Sequence, residues 1–140
     1  GARPGVLRPG WQHRARVPAT LAGVLQARLQ ALPAGQSHAL QQASIVGPVF
    51  WVDAMQALAP DAAAELEALR ARALVLVREH STFAGTAELA FHHHLLHEVT
   101  YGTVLKPVRR DGHARVAQWL AARGADRARG AGARPPGPAP

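Results

Sequence analysis

The chain has 140 residues, no cysteine and a formal net charge of +7. This length suffices for one hydrophobic core, and the missing thiols exclude a disulfide framework and a zinc site built on thiolates. The charge lies at the two ends: residues 1–16 contribute +4 and residues 124–140 contribute +2, which leaves +1 for residues 17–123. The net charge is therefore weak evidence for any partner.

The hydropathy pattern predicts neither a membrane span nor a signal peptide. No apolar run approaches the roughly 18–20 residues of a membrane helix, and the N-terminus, rich in Gly, Arg and Pro, lacks an apolar core segment. Alanine, arginine, glycine and proline are abundant and Lys106 is the only lysine, which is typical of a GC-rich genome. We expect a cytoplasmic bacterial protein without a membrane partner.

The first half of the chain predicts helices. Residues 1–16 contain two Pro-Gly breaks and are interpreted as the end of a segment that begins upstream. A helix is expected from Val17 to Leu32, because its apolar residues recur on one face and Pro33 ends it. A second helix over Ala34–Ile45 ends before Gly47. The apolar residues on one face of the first helix are Leu21, Val24, Leu25, Leu29 and Leu32.

Two further helices and a hairpin are predicted next. The apolar cluster Val49-Phe50-Trp51 is followed by a short helix that Asp53 would cap, and a longer helix covers Ala62–Arg72 with Leu66, Leu69 and Ala73 on its buried side. Two β-branched, apolar stretches then predict strands. They are Leu74–Val77 and Leu89–Phe91, with a turn over Ser81–Thr86.

Three helices followed by a hairpin is the order of a winged helix, a variant of the helix-turn-helix. The predicted fold class is therefore mainly α with a small β-hairpin, a winged helix with flanking helices. We assign residues 17–106 to this domain, 107–123 to the start of a C-terminal helical arm, and 124–140 to a disordered tail, since its composition offers nothing to bury.

The stretch Leu89–Leu105 is the most informative. A short strand leads through three histidines into a predicted helix. The helix is indicated by two pairs of residues four apart, Leu95 with Val99 and Leu96 with Thr100. Val104 and Leu105 continue the same side. Pro107 is predicted to stop this helix. Another amphipathic helix follows over Val108–Arg123 and is predicted to end at Gly124. Its apolar residues are Val116, Trp119 and Leu120.

Three motifs carry a family resemblance: VPATLAGVLQARLQALP (17–33), QQASIVGPVFW (41–51) and FHHHLLHEVTYGTVL (91–105). Their sequence, order and spacing resemble the region after the ATPase core in signal-transduction P-loop ATPases of the STAND type. The resembling subgroup comprises multidomain adenylate/guanylate cyclase-like proteins, related serine/threonine kinases and large transcription regulators. The family patterns are VPxTLQxxLxARxDxLP, LLQxASVIGRxFW and FRHALxRDxAYxxLL, and the resemblance covers residues 6–123.

The resemblance implies a fragment of a larger nucleotide-controlled switch. It implies an ATPase domain upstream, whose lid or linker ends over residues 1–16, and helical repeats downstream as partners. ATP or ADP would be bound by the parent protein, with no cofactor in this fragment. No GxxxxGK[ST] motif occurs, so the fragment itself is expected to be non-catalytic. A cyclase, a kinase or a transcription regulator are all open as the parent's output, and a degenerate or wrongly delimited gene would carry the same motifs.

Within the third motif the resemblance singles out His93. In the wider family a histidine at this strand-to-helix junction contacts the β-phosphate of ADP and attaches the winged helix to the nucleotide domain. Glu98 and Tyr101 match the family pattern, whereas His92 replaces a common arginine, His94 a common alanine, and Pro48 a commonly basic residue. The alternative for His93 is a residue that only caps or packs at the junction.

Three other clusters are weighed against ordinary structural roles. His93, His94 and His97 have a spacing that can chelate zinc, but without an HExxH motif we predict no metal site. Aromatic residues could form a ligand cage, although we expect them in the core. A basic run could bind acidic partners, although a solvated face is the more frequent arrangement. The aromatic residues are Phe50, Trp51, Tyr101 and Trp119, and the basic ones Lys106, Arg109, Arg110 and Arg115.

DNA binding is the rival function for a winged helix. The helix in the recognition position, Ala62–Arg72, would carry Asp61, Glu65 and Glu67 on its exposed side, where phosphates repel them, and Arg70 and Arg72 come too late to offset this fully. We therefore expect a module that acts through protein contacts, and we do not expect nucleic acid as a partner.

Overall fold

The computed structural model describes residues 21–133, which form helices around a small antiparallel sheet. This confirms the predicted mainly α fold class with a β-hairpin. The N-terminal segment 1–16, the start of the predicted first helix (17–20) and residues 134–140 lie outside the described residues. The elements are α1 (21–30), α2 (Ala34–Val46), β1 (Val49–Trp51), α3 (Val52–Leu58), α4 (Pro60–Ala63), α5 (Leu66–Ala71), β2 (Val75–Val77), β3 (Glu88–Phe91), α6 (His94–Gly102) and α7 (Lys106–Ala133).

The sheet has the strand order β1-β3-β2, and both neighbours of β3 are antiparallel to it. The predicted hairpin is confirmed as β2 and β3, with Leu76 opposite Ala90. The cluster Val49–Trp51 is a third strand, which the sequence analysis did not predict. Phe50 pairs with Leu89, so this three-residue strand depends on a partner far along the chain.

The core lies between this sheet and the helices around it. Its largest fully buried side chains come from α2, β1, α3, α5 and α6, and from the residue before β2: Phe50, Leu40, Ile45, Met55, Leu69, Leu74 and Leu96. In α1 only part of the predicted apolar face is used. Leu25 and Leu29 are buried, but Leu21 and Val24 are half exposed.

The single helix predicted over Ala62–Arg72 is wrong, because the chain turns between α4 and α5. The Glu65 amide donates to the carbonyl of Ala62 at 3.0 Å, a three-residue step that tightens the helix and redirects it. Leu66 and Leu69 are buried as predicted, but Ala73 is exposed. Its φ of +62° takes the chain out of α5 and into β2.

The predicted helix boundaries around Pro107 are also wrong. Helix α6 ends at Gly102, and Leu105, predicted on its buried side, is 71% exposed. Pro107 is the second residue of α7 rather than a stop, since a helix tolerates proline in its first turn. Helix α7 continues through Gly124, so residues 124–133 are helical and not a disordered tail. Alanine and arginine in this stretch favour helix strongly enough to offset its three glycines, Gly124, Gly130 and Gly132.

Helix α7 packs against α2 and α3, and Gly112 allows its close approach to α2. A Cβ atom on Gly112 would lie 2.7 Å from Cγ2 of Ile45, which is itself buried. Alanine at this position therefore requires α7 or Ile45 to move.

Gly112→Ala is expected to lower the free energy of unfolding, because overpacking of about 1–3 kcal/mol outweighs the gain in helix propensity. Gly124→Ala is the matched control, since nothing lies within 4 Å of its Cβ position. That variant should gain about 0.5–1 kcal/mol. Urea denaturation of both variants checks the prediction, and equal gains in both would contradict the packing of α7 on Ile45.

Among residues 21–133, no helix combines the length and the apolar character that crossing a membrane requires.

Candidate functional site at the junction of β3 and α6

The junction between β3 and α6 is held by backbone hydrogen bonds on both sides. The amide of Phe91 donates to the carbonyl of Pro48, and the amide of His92 donates to the carbonyl of Leu74, both at 2.9 Å. His93 then takes an extended conformation (φ −132°, ψ 141°) as the residue before the first turn of α6. The sheet therefore fixes the point from which α6 starts.

His93 is exposed at this fixed point. Its side chain makes no capping hydrogen bond to α6, and its ring lies edge-on to that of His92 with the centroids 4.5 Å apart. The first amides of a helix lack partners within the helix and carry a partial positive charge, so they favour anions. An imidazole and free helix amides at one place can bind a phosphate group.

The other two histidines with zinc-like spacing, His94 and His97, have different partners. Nε2 of His94 lies 2.8 Å from a carboxylate oxygen of Glu98. Nε2 of His97 lies 3.0 Å from the carbonyl oxygen of Ser44, and its ring packs edge-on against Phe91. The structure does not bring His93, His94 and His97 together, and the described part of the chain holds no cluster of three potential metal ligands.

The predicted basic run is divided between structural contacts and solvent. Arg109 stacks over the ring of Tyr101 at 4.3 Å and donates to its carbonyl oxygen at 2.9 Å. Arg115 donates to the carbonyl of Leu58 at 3.0 Å and pairs with Asp111. These two arginines attach α7 to the body, although Arg115 stays exposed. Lys106 and Arg110 are exposed as well.

The four aromatic residues were expected in the core, and only Phe50 is fully buried, since Trp51, Tyr101 and Trp119 are half-buried. Phe50 is fully buried and packs edge-on against Phe91, while Tyr101 contacts His97 and His113 in α6 and α7. The remaining two aromatics, Trp51 and Trp119, stack on each other with centroids 5.7 Å apart.

A residue that the sequence analysis placed in the turn, Phe83, completes this second cluster. Its ring lies edge-on to Trp51 at 5.0 Å and to Trp119 at 5.2 Å. Arg123 of α7 lies over Trp119 and pairs with Asp53 at 2.6 Å. Asp53 is the second residue of α3 rather than its cap, so its predicted role is wrong. The cluster joins the hairpin loop, residues 78–87, to α7.

Glu88 is the most important polar residue that the sequence analysis missed. It is only 4% exposed, and its carboxylate accepts hydrogen bonds from the Thr82 amide at 2.7 Å and the Trp51 indole at 2.9 Å. Arg78 pairs with it at 2.7 Å. The backbone hydrogen bond from Thr82 is the main reason that the pKa of Glu88 falls to about 2. A lone glutamate beginning a strand has no sequence signature for this role.

Glu88→Gln should remove a pH-dependent part of the stability. Because the folded-state pKa lies below the ordinary value of 4.5, the stabilisation is complete above pH 4.5 and is lost as the pH falls through about 2. We expect Glu88→Gln to cost on the order of 2–3 kcal/mol at pH 7 and much less near pH 2. Thermal unfolding between pH 7 and pH 2 measures this. Glu79→Gln, an exposed neutralisation in the same hairpin loop, is the control and should keep the wild-type profile.

The surface of α5 carries a balanced charge. Glu67 and Arg70 form an ion pair with each other, and the hydrogen bond from Arg70 lowers the pKa of Glu67. Asp61 and Arg72 are also exposed. The helix in the recognition position thus has six residues, with one acid, Glu67, and one arginine, Arg70. Asp61 lies in α4 and Arg72 follows the end of α5. Glu65, predicted on the exposed side, is half-buried.

No family model matches the chain, and the comparisons with curated proteins and with solved structures found no significant match.

Proposed function

We propose that this chain is the regulatory winged-helix module of a nucleotide-controlled signalling ATPase, and that it has no catalytic activity of its own. In this proposal the module relays the ATP or ADP state of a neighbouring ATPase domain to a cyclase, kinase or transcription-regulating output through protein contacts. The protein acts in the cytoplasm, with the ATPase domain and helical repeats of its parent chain as partners.

The observation that carries the proposal is the position of His93. The third of the motifs that resemble the STAND-type ATPases includes this histidine. It lies exposed at the start of α6, next to helix amides that favour phosphate. The central strand β3 leads directly into it. The order helix, strand, helices and hairpin, from α2 to β3, is compatible with a winged helix.

The charge of α5 favours a protein partner over DNA. A recognition helix needs basic or amide side chains that reach the groove, but Arg70 is paired with Glu67. The exposed Arg72 lies beyond the end of α5, and the neighbouring α4 adds the exposed acid Asp61. The hairpin loop, which could otherwise contact a DNA backbone, has Phe83 packed between Trp51 and Trp119.

Two measurements test the proposal. The reading frame before the Gly1 codon should encode a P-loop ATPase domain; an uninterrupted frame with no such domain would contradict the proposal.

Fluorescence anisotropy with labelled duplex DNA at about 150 mM salt should show no binding tighter than the nonspecific range of about 10⁻⁶ M. A nanomolar dissociation constant would overturn the proposal in favour of a DNA-binding regulator. Glu67→Lys is the matched comparison, since added positive charge should strengthen only nonspecific, salt-dependent binding.

A further inference from the structure

Strand β2 has an unpaired outer side within residues 21–133, because the sheet order β1-β3-β2 places it at an edge. The carbonyl of Leu74 accepts from the amide of His92, and the amide of Arg78 donates to the carbonyl of Glu88. Both residues therefore direct backbone groups towards β3. Since alternate residues of an antiparallel ladder point to opposite sides, Val75 and Val77 direct their N–H and C=O groups outwards.

The side chains along this edge leave it open to another strand. Natural edge strands are usually blocked by lysine, proline or a bulge, but β2 reads Val-Leu-Val. Leu76 is 37% and Val77 is 53% exposed. A groove of about 580 Å³ runs along the strand, lined by all three of its residues and by Arg70, Ala73 and His92.

The charges flanking β2 differ in sign between its two ends. Arg72 precedes the strand and is exposed. At the other end Arg78 is neutralised by its ion pair with the buried Glu88, which leaves the exposed Glu79 as the next charge. Among the described residues neither Arg72 nor Glu79 belongs to an ion pair. A strand that is positive at one end and negative at the other complements an antiparallel copy of itself.

We propose that β2 is a self-association edge, on which β2 of a second copy of this chain pairs in antiparallel orientation about a two-fold axis at Leu76. Val75 of each copy then lies opposite Val77 of the other, and the two pairs exchange four backbone hydrogen bonds. The two Leu76 side chains meet as a close cross-strand pair. Glu79 of each copy comes towards Arg72 of the other, and the two sheets become one six-stranded sheet.

A second copy fits this edge better than an unrelated peptide does. The outward N–H and C=O groups of β2 are arranged symmetrically about Leu76, and the flanking charges have opposite signs on its two sides. A single two-fold rotation therefore pairs donors with acceptors and positive with negative charges. Pairing two three-residue strands buries little surface area, and protein interfaces that bury a small area are usually weak. The dimer is therefore expected at micromolar or higher concentration.

Sedimentation equilibrium of the 140-residue chain tests the association from about 1 μM to 1 mM. The weight-average mass should rise from 14.8 kDa towards twice that value.

The single variants Arg72→Glu and Glu79→Arg each place like charges together and should weaken the dimer about tenfold. The double variant restores the pairing of opposite charges and the wild-type dissociation constant. Val77→Pro removes one outward N–H per copy and should weaken the dimer at least as much, with circular dichroism checking that it folds.

Amide hydrogen exchange identifies the edge directly. The amides of Val75 and Val77 should gain protection as concentration rises, while the amide of Leu76, which faces β3, keeps constant protection. A monomer mass over the whole range would overturn the proposal, as would a double variant that stays weak. Protection of Val75 and Val77 that does not depend on concentration would also overturn it, because a segment of the same chain would then cover the edge.

Discussion

Phe50→Ala is expected to lower the free energy of unfolding by about 3–5 kcal/mol, a large part of the stability of a domain this size. Phe50 has no exposed surface, and its ring meets Phe91 edge-on at 5.8 Å between centroids. It also lies in β1, so the cavity would open between the sheet and the surrounding helices. Urea denaturation followed by circular dichroism measures the change.

Leu105→Ala is the control for that experiment. Leu105 is 71% exposed, so its truncation should change the stability by no more than about 0.5 kcal/mol. A loss below about 1 kcal/mol for Phe50→Ala would contradict the position of this ring in the core. It would indicate that β1 belongs to an exposed interface instead.

His93→Ala is expected to accelerate ADP release from the parent ATPase by about ten- to a hundredfold. This prediction follows from the proposed function, in which the exposed imidazole contacts a phosphate of ADP. Loss of a hydrogen bond to a charged group costs about 1.5–3 kcal/mol, and each 1.4 kcal/mol is a factor of ten. The variant should also raise the basal output, because ADP favours the closed state through this contact.

His92→Ala and His94→Ala are matched controls in the same motif. His92 is held through its backbone amide, and His94 is paired with Glu98, so neither substitution should change ADP release much. Stopped-flow release of a fluorescent ADP analogue from wild type and the three variants measures the rates. Equal release rates in all four proteins would show that His93 is an ordinary junction residue. Unfolding curves of the isolated chain that match between wild type and His93→Ala would show that the variant still folds.

Local patterns predicted the elements whose signals lie within a few residues. The apolar spacing around Leu25 and Leu29 and the hairpin from Val75 to Phe91 are of this kind. The signal for β1 was not local. Val49–Trp51 is too short to show alternation, and only β3, about forty residues later, makes it a strand.

The candidate site was predicted in part for the same reason. The position of His93 follows from a strand that meets a helix, both of which the sequence indicates. The contacts of Arg109 and Arg115 could not be predicted, since their partners, Tyr101 and Leu58, are on other elements. Glu88 was missed because its hydrogen-bond donors meet only after the hairpin loop folds back on β1.

The central position of β3 sets an order in time for folding. The hairpin of β2 and β3 closes a loop of about ten residues, and such hairpins form within microseconds. Val49 must instead find Ala90, 41 positions later, which costs more chain entropy and is slower. We therefore expect β1 to join last. On the ribosome, β1 and β2 would leave the exit tunnel before their common neighbour, so the sheet would begin to form only after Phe91 has emerged.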